Sequence, residues 1–433
     1  MSDLSEKTIL VVDSGMFLPF ALRMADSFGR VLFWNPVEQA SPRIHEAQIA
    51  EGFDEITVVS SIFSELDEVD VFAFPDCIQP WFQNWLKEKG KKVWGSGMAT
   101  QLEWNRDLFR IHMENLGLPV HPYHIAHGLS DLTDYLKDKK DQYIRISRYR
   151  GNGETWHWID SELSSNRLDE LAIEYGPIQE TIDFLVESSF DAKEVGYDGF
   201  FYGGRFPGSA FHGIERKDKS YFGALCDYDS LPEPLKTVTD SIGPLLENMG
   251  YSNNFHAEVR VTPDGTPYFT DPTCRHASPG GEPLLEACSN LPEIVWSGAH
   301  GEYIEPEWEA KFVAQVLIDH KDDGKEHWRT VRVPDLRWVK LYNASKIGND
   351  IYAIPPLPHS CASIGSVLGQ GNTPEEAVEE LKKHASELDG QDVTVDTASL
   401  ASAIAESDSD EPGSVEMGGK DSEEAVELAR DED

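Results

Sequence analysis

Positive charge is what this sequence has least of: 37 Lys and Arg stand against 77 Asp and Glu, a formal net charge of −40. Such a field repels nucleic acid, so a nucleic-acid-binding role would need a strong local basic patch. The one short basic stretch is Arg216-Lys217-Asp218-Lys219. A halophilic or very soluble protein is the plain reading of the charge. Cysteines are few and scattered: Cys77, Cys226, Cys274, Cys288 and Cys361, odd in number and with no CxxC pair. That excludes a zinc or dithiol redox motif and points to reduced thiols that mostly pack, with Cys274 set apart by its surroundings. No apolar run approaches the ~18–20 residues of a membrane span. The N-terminus carries acids early where a signal peptide would carry bases, so it reads as a first strand, and the expected compartment is the cytoplasm. No internal repeat is evident.

A chain of 433 residues exceeds one ordinary core and implies two or three modules. Apolar, β-branched runs at Thr8–Val12, Val31–Trp34, Glu55–Val59, Val69–Phe74 and Val93–Trp94 alternate with helical stretches. That alternation predicts a parallel sheet, and residues 1–98 read as a Rossmann-like module. The turn after the first strand is DSGMF rather than GxGxxG, which disfavours a dinucleotide site and an oxidoreductase. A helix is expected over Thr100–Leu116, closed by Gly117-Leu118-Pro119. Strand alternation recurs at 142–147, 181–187 and 195–202. His256–Val261 and Pro267–Asp271 flank Thr262-Pro263-Asp264-Gly265-Thr266, a hairpin signal. Strands at 330–333 and 338–341 and a helix capped by Thr373 follow. From about 396 the composition turns to Ser, Asp, Glu, Gly and Ala, with about a dozen acids against two bases over 401–433. An acidic disordered tail is expected there, 404–433 above all.

The hairpin carries the chemistry. Glu258 on its first strand and Asp271 near the end of its second can converge across an antiparallel pair. Two hard oxygen ligands at a sheet end suit Mg²⁺, which takes its remaining ligands from water and phosphates. Arg275, four residues on, would neutralise phosphate charge. The alternative is a solvated hairpin with scattered charges.

The string from Glu258 to Arg275 resembles the ATP-grasp element written as an acid, Asp-Gly, then apolar-Glu-apolar-Asn-Pro-Arg. Asp271 falls on the Glu, Thr273 on the Asn and Arg275 on the Arg. Thr273 departs from the pattern and would be the weaker metal ligand. Residues 93–120 resemble the lead-in to the ATP-grasp domain of the phosphoribosylamine–glycine ligase family, with Arg106 at its first phosphate-contacting Lys. Arg145 in YIRIS matches the second, and Gly151 and Gly153 lie where that family has its loop over the phosphates. FLVESSFDAKEVGYDGFF resembles the adenine hinge, which implies backbone contacts from Glu187, Ser188 and Phe190 and a ribose contact from Glu194. Residues 363–381 resemble the closing strand and helix. The resemblance covers roughly 8–390.

It implies a Rossmann-like pre-ATP-grasp module (1–98), an ATP-grasp domain (99–305, in subdomains of about 99–180 and 181–305), a closing subdomain (306–395) and the tail (396–433). It further implies ATP with Mg²⁺ or Mn²⁺, and a ligase joining a carboxylate to an amine or thiol through an acyl phosphate. Arg145 and Arg275 would be catalytic. Arg205, Arg216 and Lys217 are candidates for steering the substrate carboxylate. The partners expected are small molecules, with no nucleic acid and no membrane, for a monomer or homodimer. The turn DSGMFLPFA and the segment His276–Glu282 depart from the family at substrate-facing places and leave the acceptor open. A carboxylase or phosphotransferase of the same fold stays open too. Arg at both Lys positions and Thr at 273 also leave open a nucleotide-binding protein with little or no turnover.

Overall fold

The computed structural model describes residues 3–36, 49–147, 155–216, 219–320, 328–333, 335–354, 363–390, 393–401 and 404. Most of the expected acidic tail, 405–433, lies outside them. The chain opens with β1 (Thr8–Val12), α1 (Leu18–Met24), β2 (Arg30–Trp34), β3 (Thr57–Val58), β4 (Val71–Ala73), α2 (Pro80–Glu88) and β5 (Lys92–Trp94). Its strands form one parallel sheet in the order β3-β2-β1-β4-β5. Both faces are covered, which is why β1 is apolar at nearly every position rather than alternating.

The single helix expected over 100–116 is two: α3 (Thr100–Trp104) and α4 (Arg106–Asn115). Asn105 leaves helical geometry at φ −106°, ψ 88°, and the Arg106 N–H turns to the Ser147 hydroxyl at 3.3 Å. The break places Arg106 in the first turn of a new helix, where orphan N–H groups favour anions.

There follow β6 (Tyr123–His127), α5 (Leu129–Leu136), β7 (Gln142–Ile146), β8 (Thr155–Trp158), α6 (Ser161–Tyr175) and β9 (Asp183–Ser188). These strands make an antiparallel sheet, β6-β9-β7-β8. Next come β10 (Lys193–Phe201), β11 (Ser209–Arg216), β12 (Ser220–Asp227), α7 (Glu233–Asn248), β13 (Asn253–Val261), β14 (Pro267–Thr273), α8 (Glu282–Ala287), α9 (Leu291–Ala299) and β15 (Phe312–His320). The last part holds β16 (Arg329–Arg332), β17 (Val339–Leu341), β18 (Ala344–Ile347), β19 (Asp350–Ala353), β20 (Ser363–Gly371), α10 (Pro374–Glu387), β21 (Asp389–Gly390) and β22 (Val393–Val395).

One long antiparallel sheet runs β14-β13-β10-β11-β12-β15-β20-β17, with β22 added beside β15. It is continuous across position 305, where the sequence reading divides the chain. The remaining sheet is β18-β19-β16-β21. Helix α7 buries Leu235, Val238, Ile242 and Leu246, spaced as one helical stripe, against Tyr197, Phe255 and Val259. At about 1.5–3 kcal/mol per buried side chain this fixes one face of β10 and β13. Strand alternation then turns Glu194, Asp198, Asn254, His256 and Glu258 to the other face. At α10 the expected cap is present: Thr373 accepts the Glu376 N–H at 3.2 Å, with Pro374 at the first position.

Candidate active site

The pairing of β13 with β14 sets Glu258 directly opposite Asp271, and His256 opposite Thr273. The register slips between Glu258 and Val259, so Thr270 is an extra, bulged residue. Its carbonyl leaves the ladder and accepts Arg145 Nη1 at 3.1 Å. Its hydroxyl donates to the Glu258 carboxylate at 3.0 Å.

Around this bulge a charged cluster joins β7, β9 and α4 to the edge of the long sheet. Arg106 Nη1 donates to Asp271. Arg110, one helical turn on, binds Glu187 at 2.7 Å and the Phe269 carbonyl at 3.1 Å. Arg145 stands 3.8 Å from Glu187. Arg260 links Glu258 (2.9 Å) and Glu194 (2.7 Å). Burial pushes the Asp271 carboxyl up, but Arg106 and Arg145 outweigh it and hold the group at about 2. Asp271 is therefore a carboxylate at any working pH.

Arg275 makes a different set of bonds. Its Nε donates to Glu103 at 3.0 Å and lies 3.8 Å from Asp76, while Nη1 donates to the His276 carbonyl. The other Glu103 oxygen accepts the Cys274 N–H at 3.0 Å, so α3 clamps this segment. Cys274 is fully buried, and burial pushes its thiol well up, which fits a packing role.

The remaining site candidates divide by place. Glu187 takes part through its carboxylate, where the sequence reading expects its backbone. Ser188 ends β9 opposite Gln142. Phe190 stacks on His121, with ring centroids 4.2 Å apart, and meets Tyr268 edge-on. Gly151, Gly153 and Lys217 lie outside the described residues. Arg216 ends β11 opposite Ser220. Arg205 lies over the Tyr303 ring at 4.7 Å and touches none of the charged cluster among the described residues.

Three participants escape the sequence reading. Arg110 was accessible in principle, being four residues from Arg106 on a helix and hence on its face. Glu103 and Arg260 gain meaning only from the tertiary contacts just described.

No protein-family model matches this sequence, and no curated protein matches it. Solved structures do. The phosphoribosylamine–glycine ligase of Thermotoga maritima superposes with a TM-score of 0.67 at 14% identity, over 89% of this chain and 98% of that one. The L-amino acid ligase of Bacillus licheniformis gives 0.58 at 14% identity, over 90% and 99%. The chain has the ATP-grasp fold. The biotin carboxylase domain of the Hydrogenobacter thermophilus 2-oxoglutarate carboxylase, a dimer in complex with MgADP, ADP and bicarbonate, shares it at a TM-score of 0.62 and 15% identity, over 90% and 91%. No helix among the described residues is long and apolar enough to cross a membrane.

The ATP-grasp scaffold of this chain carries a second carboxylate of note at the end of β1. Asp13 is fully buried; one oxygen accepts the N–H groups of Gly15 (2.7 Å) and Phe17 (3.0 Å), and the other has no partner among the described residues. Burial, with Asp76 nearby, pushes its carboxyl up to about 7 from an ordinary 3.8. The folded protein then keeps a proton between pH ~4 and ~7 that the unfolded chain releases, so this group erodes stability as pH rises through that window. Asp13→Asn is expected to gain stability over wild type from pH 4 to 7, on the order of 4 kcal/mol at most, then level off. Urea unfolding at several pH values measures this, and a difference that ignores pH refutes it.

Proposed function

We propose that this protein is an ATP-dependent ligase that activates a substrate carboxylate as an acyl phosphate and joins it to an amine or thiol. One observation carries the reading: Arg106 on Asp271, Arg110 on the Phe269 carbonyl and Arg145 on the Thr270 carbonyl gather where Glu258 and Asp271 face each other, between two sheets of an ATP-grasp fold. The arginines supply positive charge for a polyphosphate, and guanidinium binds phosphate oxygens bidentately. Asp271 and Glu258, with Thr273, offer hard oxygen donors on neighbouring strands and so fit Mg²⁺. Bound there, Mg²⁺ would neutralise phosphate charge. Phe190 and His121 supply aromatic surface where the hinge resemblance puts the adenine. Positioning and charge, rather than a covalent enzyme intermediate, would drive transfer of the γ-phosphoryl group to the carboxylate. The same reading assigns Arg145 and Arg275 to catalysis, Glu194 to the ribose, and Arg205, Arg216 or Lys217 to the substrate. It places a monomer or homodimer in the cytoplasm.

A second reading, an ATP-binding protein with little turnover, draws on the ion pairs themselves. Arg106 occupies Asp271, and Arg145 and Arg110 both face Glu187, so nucleotide must compete with internal partners.

Calorimetric titration with ATP, with and without Mg²⁺, separates the outcomes when paired with phosphate release over pooled amino acids and small amines. Mg-dependent binding with substrate-stimulated release is the expected result. Binding without release in every pool favours the second reading, and absence of binding sinks both.

A further inference from the structure

The segment after β14 folds back over the start of β13 at the rim of the parallel sheet. The Asn253 side chain donates to the Phe74 carbonyl at 3.0 Å, and the His276 N–H to the next carbonyl, Pro75, at 2.8 Å. Asn253, the residue before Asn254, and His276 therefore bind adjacent carbonyls of one segment. Asn254, His256 and Glu258 share one face of β13, so His256 is about 7 Å along the strand from Glu258. Asn254, His256 and His276 are 1%, 5% and 1% exposed.

His256 is held from behind. Its Nδ1 faces Asp198 at 2.8 Å, and the other Asp198 oxygen accepts the Tyr221 hydroxyl at 2.7 Å. Tyr221 lies flat across Gly213 and Gly223, where a Cβ would come within 2.2 and 2.5 Å of its hydroxyl. Gly280 covers the same pair: a Cβ there would sit 3.5 Å from Tyr221 and 3.9 Å from Asp198. With Nδ1 so engaged, Nε2 of His256 is left over.

That atom, both ring nitrogens of His276 and both amide atoms of Asn254 have no hydrogen-bond partner among the described residues. Each such atom costs about 1–3 kcal/mol in a dry interior. Buried polar groups are otherwise nearly always satisfied. A polar guest would satisfy these atoms.

The guest's character follows from the donors. Burial, with His256, Arg275 and Lys340 adding to it, lowers His276 well below the usual histidine range, so its ring is neutral with one donor and one acceptor. Asn254 adds two donors and one acceptor. Arg275, next in the chain, opposes a cation. An uncharged group that both donates and accepts is the complement.

We propose that Asn254, His256 and His276 bind the uncharged amine end of the acceptor substrate. The assignment rests on the ligase reading for the word acceptor, and it sets the amine one strand step from Glu258, beside the phosphoryl group.

The test uses two amines of similar shape at pH 7: 2,2,2-trifluoroethylamine, which is mostly uncharged, and ethylamine, which is a cation. Thermal unfolding of the full chain should shift upward with the first and not with the second. Asn254→Leu and His276→Phe should be at least as stable as wild type without ligand, because unpaired atoms are removed, and should bind trifluoroethylamine at least tenfold more weakly. Equal responses to both amines, an unresponsive wild type, or variants that respond like wild type overturn the proposal. So does a loss of stability in both variants, which would mean structural water already satisfies the layer. Mg-ATP titration of the wild type is the separate arm: if it fails while the amine response holds, the ligase reading falls and the amine site stands.

Discussion

Asp271→Asn is expected to lower Mg-ATP-dependent phosphate release by about 10²–10³-fold, with a clear loss of stability in the same protein. The substitution keeps the shape and removes the charge. Arg106, whose side chain is 7% exposed, then loses Asp271 as a countercharge, and Arg145 loses one of its anionic neighbours. Breaking a buried pair from one side typically costs about 3–5 kcal/mol, because the surviving ion stays desolvated. Asp271 is itself about a third exposed, so the lower end of that range is expected. The pH dependence has a definite sign. The folded carboxyl is held at about 2, below its ordinary 3.8, so its stabilisation is complete above pH ~4 and is lost as pH falls toward 2. The deficit of the Asn variant should be constant at neutral pH and shrink in acid. Calorimetry decides the functional half: ATP affinity in Mg²⁺ within twofold of wild type would make Asp271 a structural residue and remove it from the proposed metal site.

The elements visible in the sequence were those fixed by neighbours in the chain. The five parallel strands announce themselves by apolar β-branched runs, the hairpin by Pro263-Asp264-Gly265, and α10 by Thr373 and Pro374. The break at Asn105 is hidden because the partner that takes the next N–H, Ser147, comes from the turn after β7, far along the chain. Strands β16 and β17 are close in sequence but part company, one in the small sheet and one at the edge of the long one. The candidate site shows the same division. A motif pairs Glu258 with Asp271, and the ladder sets them opposite each other. The partners of Arg275 lie in α3 and at Asp76, beyond any local pattern. The Asp198–His256 pair requires the register of β10 on β13, in which the two residues are opposite.

The Arg110–Glu187 pair allows structure and function to be separated by a double-mutant cycle. The two side chains, 5% and 10% exposed, meet at 2.7 Å across 77 positions of chain. Glu187→Leu strands Arg110 beside Arg145 and Arg106, whose charges already oppose it, and is expected to cost about 3–5 kcal/mol. Arg110→Met should cost less, since Arg145 still faces the carboxylate at 3.8 Å. In the double variant two apolar side chains of similar bulk replace a desolvated pair, and stability should return to within about 1 kcal/mol of wild type. The coupling, at least about 2 kcal/mol, is the signature of direct contact. Nucleotide affinity should not return with it. Glu187 is the anion that aims Arg145 from β9 to β7, so the double variant is expected to bind ATP about tenfold more weakly while folding normally. Additive stability changes in urea unfolding would show that the pair does not act as a unit. Full recovery of ATP affinity would show that the Thr270 carbonyl alone suffices to orient Arg145, and that the bulge in β14, rather than the ion cluster, organises the proposed phosphate-binding side of the site.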